Sequence, residues 1–160
     1  MGDEHRYREI FVPDSGALLD LRIFDVTPND WQALLSFLSS NYVVNYSEDG
    51  DPRPLPDYAT IKQVQKRKSV SFEVLLPGFA VCSYFFLDDE IELDLLPEDV
   101  DSKEKADAVF TLMKGIAVLL HRKVLLVEET SITDPEELRK IAVCECDPVR
   151  QEIRYFDTHG

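Results

Sequence analysis

The chain has 160 residues and a formal net charge of -14, from 31 acidic and 17 basic side chains. That length suits one domain with a conventional core, and 44% hydrophobic residues, including nine Phe, six Tyr and one Trp, exclude disorder over most of it. Residues 88–160 hold 19 acids against 9 bases, a field that repels nucleic-acid phosphates and anionic membranes, so the expected partners include neither.

In chain order, residues 7–12 and 18–26 are predicted as strands, the second through Leu19, Leu21, Ile23 and Phe24, with a hairpin turn at Asp14, Ser15 and Gly16. Thr27, Pro28 and Asp30 carry a helix-start signature. Trp31, Leu34, Leu35 and Leu38 then follow at helical spacing, so the helix is expected to run to about Ser40 with one buried stripe. Residues 42–46 are a strand candidate. Residues 47–57, with three prolines and one glycine, are predicted as a mobile surface loop. A helix begins at Asp57, with Tyr58, Ile61 and Val64 inward and Lys66, Arg67 and Lys68 at its C-terminal end.

Residues 69–76, 79–87 and 90–96 read as a three-stranded meander turning at Pro77-Gly78 and Asp88-Asp89, with the acidic strand outermost and its acids on the wet face. Asp101 and Glu104 resemble a capping box. The helix they open carries Ala106, Val109, Phe110, Met113, Ile116, Ala117 and Leu120 along one side. A strand at 123–128, a short helix from Asp134, and strands at 141–146 and 152–156 complete the chain. The fold class expected is a single α+β domain over 1–160, mainly an antiparallel sheet with the 27–40 and 101–121 helices on one face.

Residues 88–101 put 8 carboxylates into 14 positions with no Lys, Arg or His. Within them Glu90, Glu92 and Asp94 alternate with Ile91, Leu93 and Leu95, so three acids share one face of a strand. Such a row attracts a basic protein, holds a hard cation or keeps the molecule soluble. The outer two acids lie about 13 Å apart at the usual strand rise, too far for one coordination sphere without ligands from elsewhere, so no metal or other cofactor is assigned. The acids at 48–51 lack the later bidentate Glu of a calcium loop.

No phosphate-binding Gly loop, Gly-x-Ser-x-Gly elbow or His-Glu-x-x-His occurs, and no catalytic residue is assigned. His5 and His159 lie near the chain ends, and His121 is read as complementing a helix dipole. Cys82, Cys144 and Cys146 form no disulfide framework. All three are read as structural, Cys82 in the core, in a protein of the reducing cytoplasm. A charged N-terminus and Arg6 argue against a leader or a myristoylation signal. Tyr84 and Phe86 are read as core, whereas Tyr42 and Tyr46 are candidate interface anchors.

The segment Glu90-Ile-Glu-Leu-Asp-Leu-Leu-Pro97, the amphipathic helix after it, Lys123–Glu129 and the terminal Cys146-Asp-Pro with Ile153–Phe156 together resemble small acidic bacterial immunity proteins of polymorphic or contact-dependent toxin systems. The resemblance covers residues 70–156. It implies a cytoplasmic, non-enzymatic protein whose acidic face blocks a basic toxin, a role falling on Asp88, Asp89, Glu90, Glu92 and Asp94 with Glu98 and Asp99 at the rim. The leading expectation is therefore a basic protein partner for a monomer or weak homodimer. A carboxylate-dependent enzyme, with or without a metal, and a small-ligand binder with a pocket between sheet and helices are the alternatives.

Overall fold

Thr27 starts the first helix as its neighbours dictate: its hydroxyl accepts from the Asp30 N–H at 3.2 Å while the Asp30 carboxylate accepts from the Thr27 N–H at 2.9 Å. Two donors that an isolated helix end leaves unpaired are thus satisfied reciprocally. In this computed structural model, residues 10–11, 18–85, 87–130, 132 and 134–156 are described. Strand β1 (Leu19–Phe24) leads into helix α1 (Pro28–Asn41), strands β2 (Val43–Glu48) and β3 (Asp51–Arg53), and helix α2 (Tyr58–Gln65). Strands β4 (Val70–Leu76), β5 (Phe79–Ser83) and β6 (Glu90–Leu95) follow. Next come a 3-10 turn at Pro97–Asp99, helix α3 (Lys103–Leu120), strand β7 (Val124–Glu128), helix α4 (Pro135–Ile141) and strands β8 (Cys144–Cys146) and β9 (Ile153–Tyr155).

The strands form one nine-stranded sheet in the order β3-β2-β4-β5-β6-β1-β7-β8-β9, and each neighbouring pair is antiparallel. The α+β expectation holds. Leu21, Ile23, Phe72, Val74, Val81, Ile91, Leu93, Val124 and Leu126 point from alternate strand positions to the side where α1, α2 and α3 lie, and the stripe Trp31, Leu34, Leu35 and Leu38 closes on them. Gly115 of α3 lets α1 approach: a Cβ there would meet Phe37 at 2.9 Å. The opposite face carries a smaller cluster, Leu125 and Val127 of β7 with Leu138 and Ala142, so α4 covers the sheet from the other side.

Several sequence expectations are corrected. The predicted strand at 7–12 and its hairpin turn lie mostly outside the described residues, and Ile10 and Phe11 have helical backbone and are buried. Residues 47–57 are not loop throughout. Asp49 and Gly50, with φ 49° and 83°, make a tight turn that brings β3 onto β2, and Pro52 is tolerated because β3 is the sheet edge. The cap of α3 is Ser102, whose hydroxyl accepts from the Lys105 N–H at 3.2 Å, while Asp101 meets Lys105 Nζ at 2.9 Å instead.

The largest correction concerns β6, which is the central strand of the sheet rather than the outer strand of a meander. Among the described residues β5 pairs with it only at Cys82↔Asp94, whereas β1 pairs along its whole length from Leu19↔Leu95 to Phe24↔Glu90. The cause sits at Phe85, whose φ of 56° turns the chain away after Ser83 and drives its ring into the core against Trp31 at 5.2 Å. A bulky side chain in the left-handed region is strained, and burial among Trp31, Tyr58 and Phe72 offsets it. Phe85, not Tyr84, is therefore the core residue. Tyr84 is 40% exposed, and Phe86 lies outside the described residues.

Candidate functional site

Because side chains alternate along a strand, the face of the sheet opposite α1–α3 receives Asp20 and Arg22 from β1, Glu90, Glu92 and Asp94 from β6, and Cys82 from β5. The register sets Asp20 against Asp94, Arg22 against Glu92, and Cys82 against Asp94. Glu129, just beyond β7, is held there by its N–H donating to the Leu18 carbonyl at 2.8 Å, and its field reaches Asp20 and Asp94. Four carboxylates thus gather around the centre of the sheet: Asp20, Glu92, Asp94 and Glu129.

The three acids of β6 share a face as their spacing requires, but they are not a uniform solvent-facing row. Glu90 is only 5% exposed and forms a buried ion pair with Arg22, which is itself 3% exposed. The Arg22 guanidinium also lies 5.7 Å from the Phe24 ring centre and donates to the Ile132 carbonyl at 3.4 Å. Burial still holds the Glu90 carboxyl above the usual carboxylate range, against the opposing pull of Arg22. Glu92 and Asp94 are half-buried and remain at the surface.

Asp20 is the unusual member. It is 1% exposed, and its Oδ1 has no hydrogen-bond partner. Burial first, then the charge of Glu92, push its carboxyl up to about 7, with Arg22 opposing and Asp94 and Glu129 adding to the rise. Asp94 is pushed up to about 6 by burial and by Glu92 and Glu129. Cys82, which the sequence placed in the core, is half-buried on this same face, and burial with Asp94 and Glu73 raises its thiol to about 11. That excludes a thiolate nucleophile at neutral pH. Cys144 and Cys146 do lie together in the core, where burial raises both thiols.

The remaining candidates are dispersed. Asp88 is exposed, accepts from the Tyr58 hydroxyl at 2.6 Å and lies 3.5 Å from Lys62 Nζ; the Tyr58 bond first, and then Lys62, hold its carboxyl low against a small burial cost. Asp89 is exposed, and its carbonyl accepts from the Val26 N–H at 3.2 Å. Glu98 and Asp99 sit in the 3-10 turn beyond the other end of β6, so they and Asp88 bracket the central acids rather than join them. Tyr46 is 3% exposed on the helix side of the sheet, with its hydroxyl donating to Glu48 at 2.9 Å. Tyr42 packs edge-on against Phe37 at 6.4 Å, also on the helix side. Neither tyrosine shares a surface with Glu92 and Asp94.

A cavity of about 10 Å³ lies beside Glu90, Glu92 and Asp94 and is also lined by Trp31 and Ser83, room for about one water molecule and far below the size of a small-molecule pocket. Larger depressions lie elsewhere, one of about 510 Å³ between α3 and β9 lined by Phe110, Lys114 and Tyr155 among others. Among the described residues, no three His, Cys, Asp or Glu side chains are arranged to hold a metal ion, and no helix is long and apolar enough to cross a membrane. Sequence reasoning missed Asp20, Arg22 and Glu129. The alternation Leu19-Asp20-Leu21-Arg22-Ile23 was a usable signal for two of them, since it places Asp20 and Arg22 on one face opposite the apolar residues. No protein-family model matches the sequence, and comparison with curated proteins and with solved structures finds no match either.

Proposed function

We propose that the protein is a non-enzymatic binding module whose acidic sheet face, beside α4, engages a basic partner protein through its exposed part, in the manner of an immunity-type neutraliser of a toxin or an adaptor. The observation that carries this reading is the gathering of Asp20, Glu92, Asp94 and Glu129 on that face, where the nearby cation, Arg22, is already paired with Glu90. Carboxylate charge that no cation among the described residues pairs with gives a directed negative field, which steers a cationic partner and fixes its register. The cross-strand pair Val43 and Leu75, 66% and 38% exposed, supplies an apolar flank three and two strands from β6. The small cavity beside the acids weighs against the carboxylate-enzyme alternative, because a substrate needs room between acid and base.

The test begins with affinity capture from native cells, identification of the bound protein, and purification of that protein. Association rates are then measured at low and high salt for wild type and for the triple variant Glu92→Gln, Asp94→Asn, Glu129→Gln. The expected partner is basic, associates at least tenfold more slowly with the variant at low salt, and loses most of that difference at high salt. Equal rates for both proteins at low salt would overturn the reading.

A further inference from the structure

We infer that Glu92 and Asp94, backed by the buried Asp20 and rimmed by Glu129, form a seat for a single lysine or arginine side chain projected by the partner. This inference rests on the binding reading above and names the group that the face receives. Asp20 and Asp94 are directly opposed across β1 and β6, so their Cβ atoms lie about 5 Å apart, and Glu92 stands one pleat repeat, about 7 Å, from Asp94 along the same face. A guanidinium or ammonium, with hydrogen bonds of about 2.8 Å reaching outward in several directions, spans such a group of carboxylates. A divalent metal needs its oxygens within about 2.6 Å of one point, an arrangement the described side chains do not make.

The second observation is the Asp20 oxygen itself. A buried acceptor with no donor leaves a desolvation cost unanswered, and an incoming cation or a proton is what answers it. The groups facing Asp20 are Arg22 on its own strand, Asp94 and Glu92 on β6, and Glu129 after β7, while the β7 residue in register with it is the apolar Val127. Asp94 adds Cys82 on β5, whose own cross-strand neighbour is Glu73, and Tyr84 just after β5. Only Arg22 among these is cationic, and it is held by Glu90. Below about pH 7 the Asp20–Asp94 pair therefore carries a proton in the free protein, and a docked lysine or arginine displaces it, so affinity for the cation rises as pH is raised through that range.

The probe is a tetralysine peptide at low ionic strength, followed through the side-chain carboxyl carbon resonances of the Asp and Glu residues between pH 5.5 and 8. Wild type is expected to show saturable shifts at Asp94, Glu92 and Asp20, with apparent affinity rising at least fivefold over that range. Asp20→Asn should bind with most of that pH dependence lost, and Glu92→Gln, a change at a half-buried position that leaves Asp20 intact, should weaken binding at every pH. Saturable shifts confined to Asp88, Asp89, Glu98 or Asp99 would overturn the seat while leaving an acidic binding module in place. No saturable binding by wild type at low salt overturns the seat as well. The binding reading then stands or falls on its own partner's association rates. A pH dependence unchanged in Asp20→Asn would remove Asp20 from the seat.

Discussion

Replacing Asp20 with Asn should change how stability depends on pH. An acid whose folded-state pKa is raised holds its proton more tightly in the native chain than in the unfolded one, so its contribution is fully present below the unfolded value and is lost as pH rises through the folded value. For Asp20, moving from 3.8 to about 7, the rise corresponds to roughly 4 kcal/mol at 1.36 kcal/mol per unit, lost across the interval from about pH 4 to pH 8. Asp94, raised to about 6, acts in the same direction and is coupled to it. Asp57, Asp88, Asp101 and Asp147 have lowered carboxyls and act oppositely, but their contribution disappears only as pH falls below the ordinary carboxylate range. Among the described residues the window above pH 5 therefore belongs to Asp20 and Asp94, with Glu90, whose carboxyl is also raised, adding to the same decline. Urea unfolding at intervals from pH 5 to pH 8.5 should show wild type losing about 3–4 kcal/mol, while Asp20→Asn starts about 1–3 kcal/mol less stable, from its imperfectly paired amide, and declines far less. Wild-type stability that is flat or rising between pH 5.5 and 8 would refute the reasoning.

Two further substitutions test the packing. Arg22→Met strands Glu90 at a position only 5% exposed and should cost about 3–5 kcal/mol at pH 7, most of it recovered in the double variant with Glu90→Leu; equal losses in the single and double variants would show that the pair does not carry the effect. Phe110→Ala removes a ring set 6.1 Å from both Phe11 and Tyr155 and should cost about 3–5 kcal/mol by urea unfolding, whereas less than about 1 kcal/mol would place the ring outside the core.

Local signals in the sequence reported local structure well. Thr27 with Pro28 and Asp30, the Trp31 stripe, and the period-2 run from Glu90 to Leu95 each depend on residues a few positions apart, and each has the structure expected of it. What could not be read locally was strand order. The meander 69–96 is the simplest arrangement of three consecutive strands, yet β6 belongs chiefly to β1, a partner about 70 residues earlier, because Phe85 diverts the chain after Ser83. That single long-range pairing changed the site. It supplied Arg22 to neutralise Glu90, brought in Asp20, and moved the acids from an edge to the middle of the sheet. The Asp-Gly turn at 49–50 was legible in principle, but the prolines around it concealed the short strand that follows.

The position of these charges separates a solubilising role from a recognising one. Acids kept only for solubility belong where water solvates them, as Asp88, Asp89 and Glu98 are solvated at the two ends of β6. Asp20 and Asp94 instead sit opposite each other on the two strands that hold the sheet together, one almost fully buried and the other half-buried, where an apolar pair would stabilise the fold more. Central strands also fix side-chain positions better than loops do: β1 has a ladder on each side, and β6 is paired with β1 along its whole length. Carboxylates placed at a cost to stability, at fixed spacing, and without a free counter-charge among the described residues are suited to reading where a partner's cation sits as well as attracting it, which solvated acids on turns cannot do.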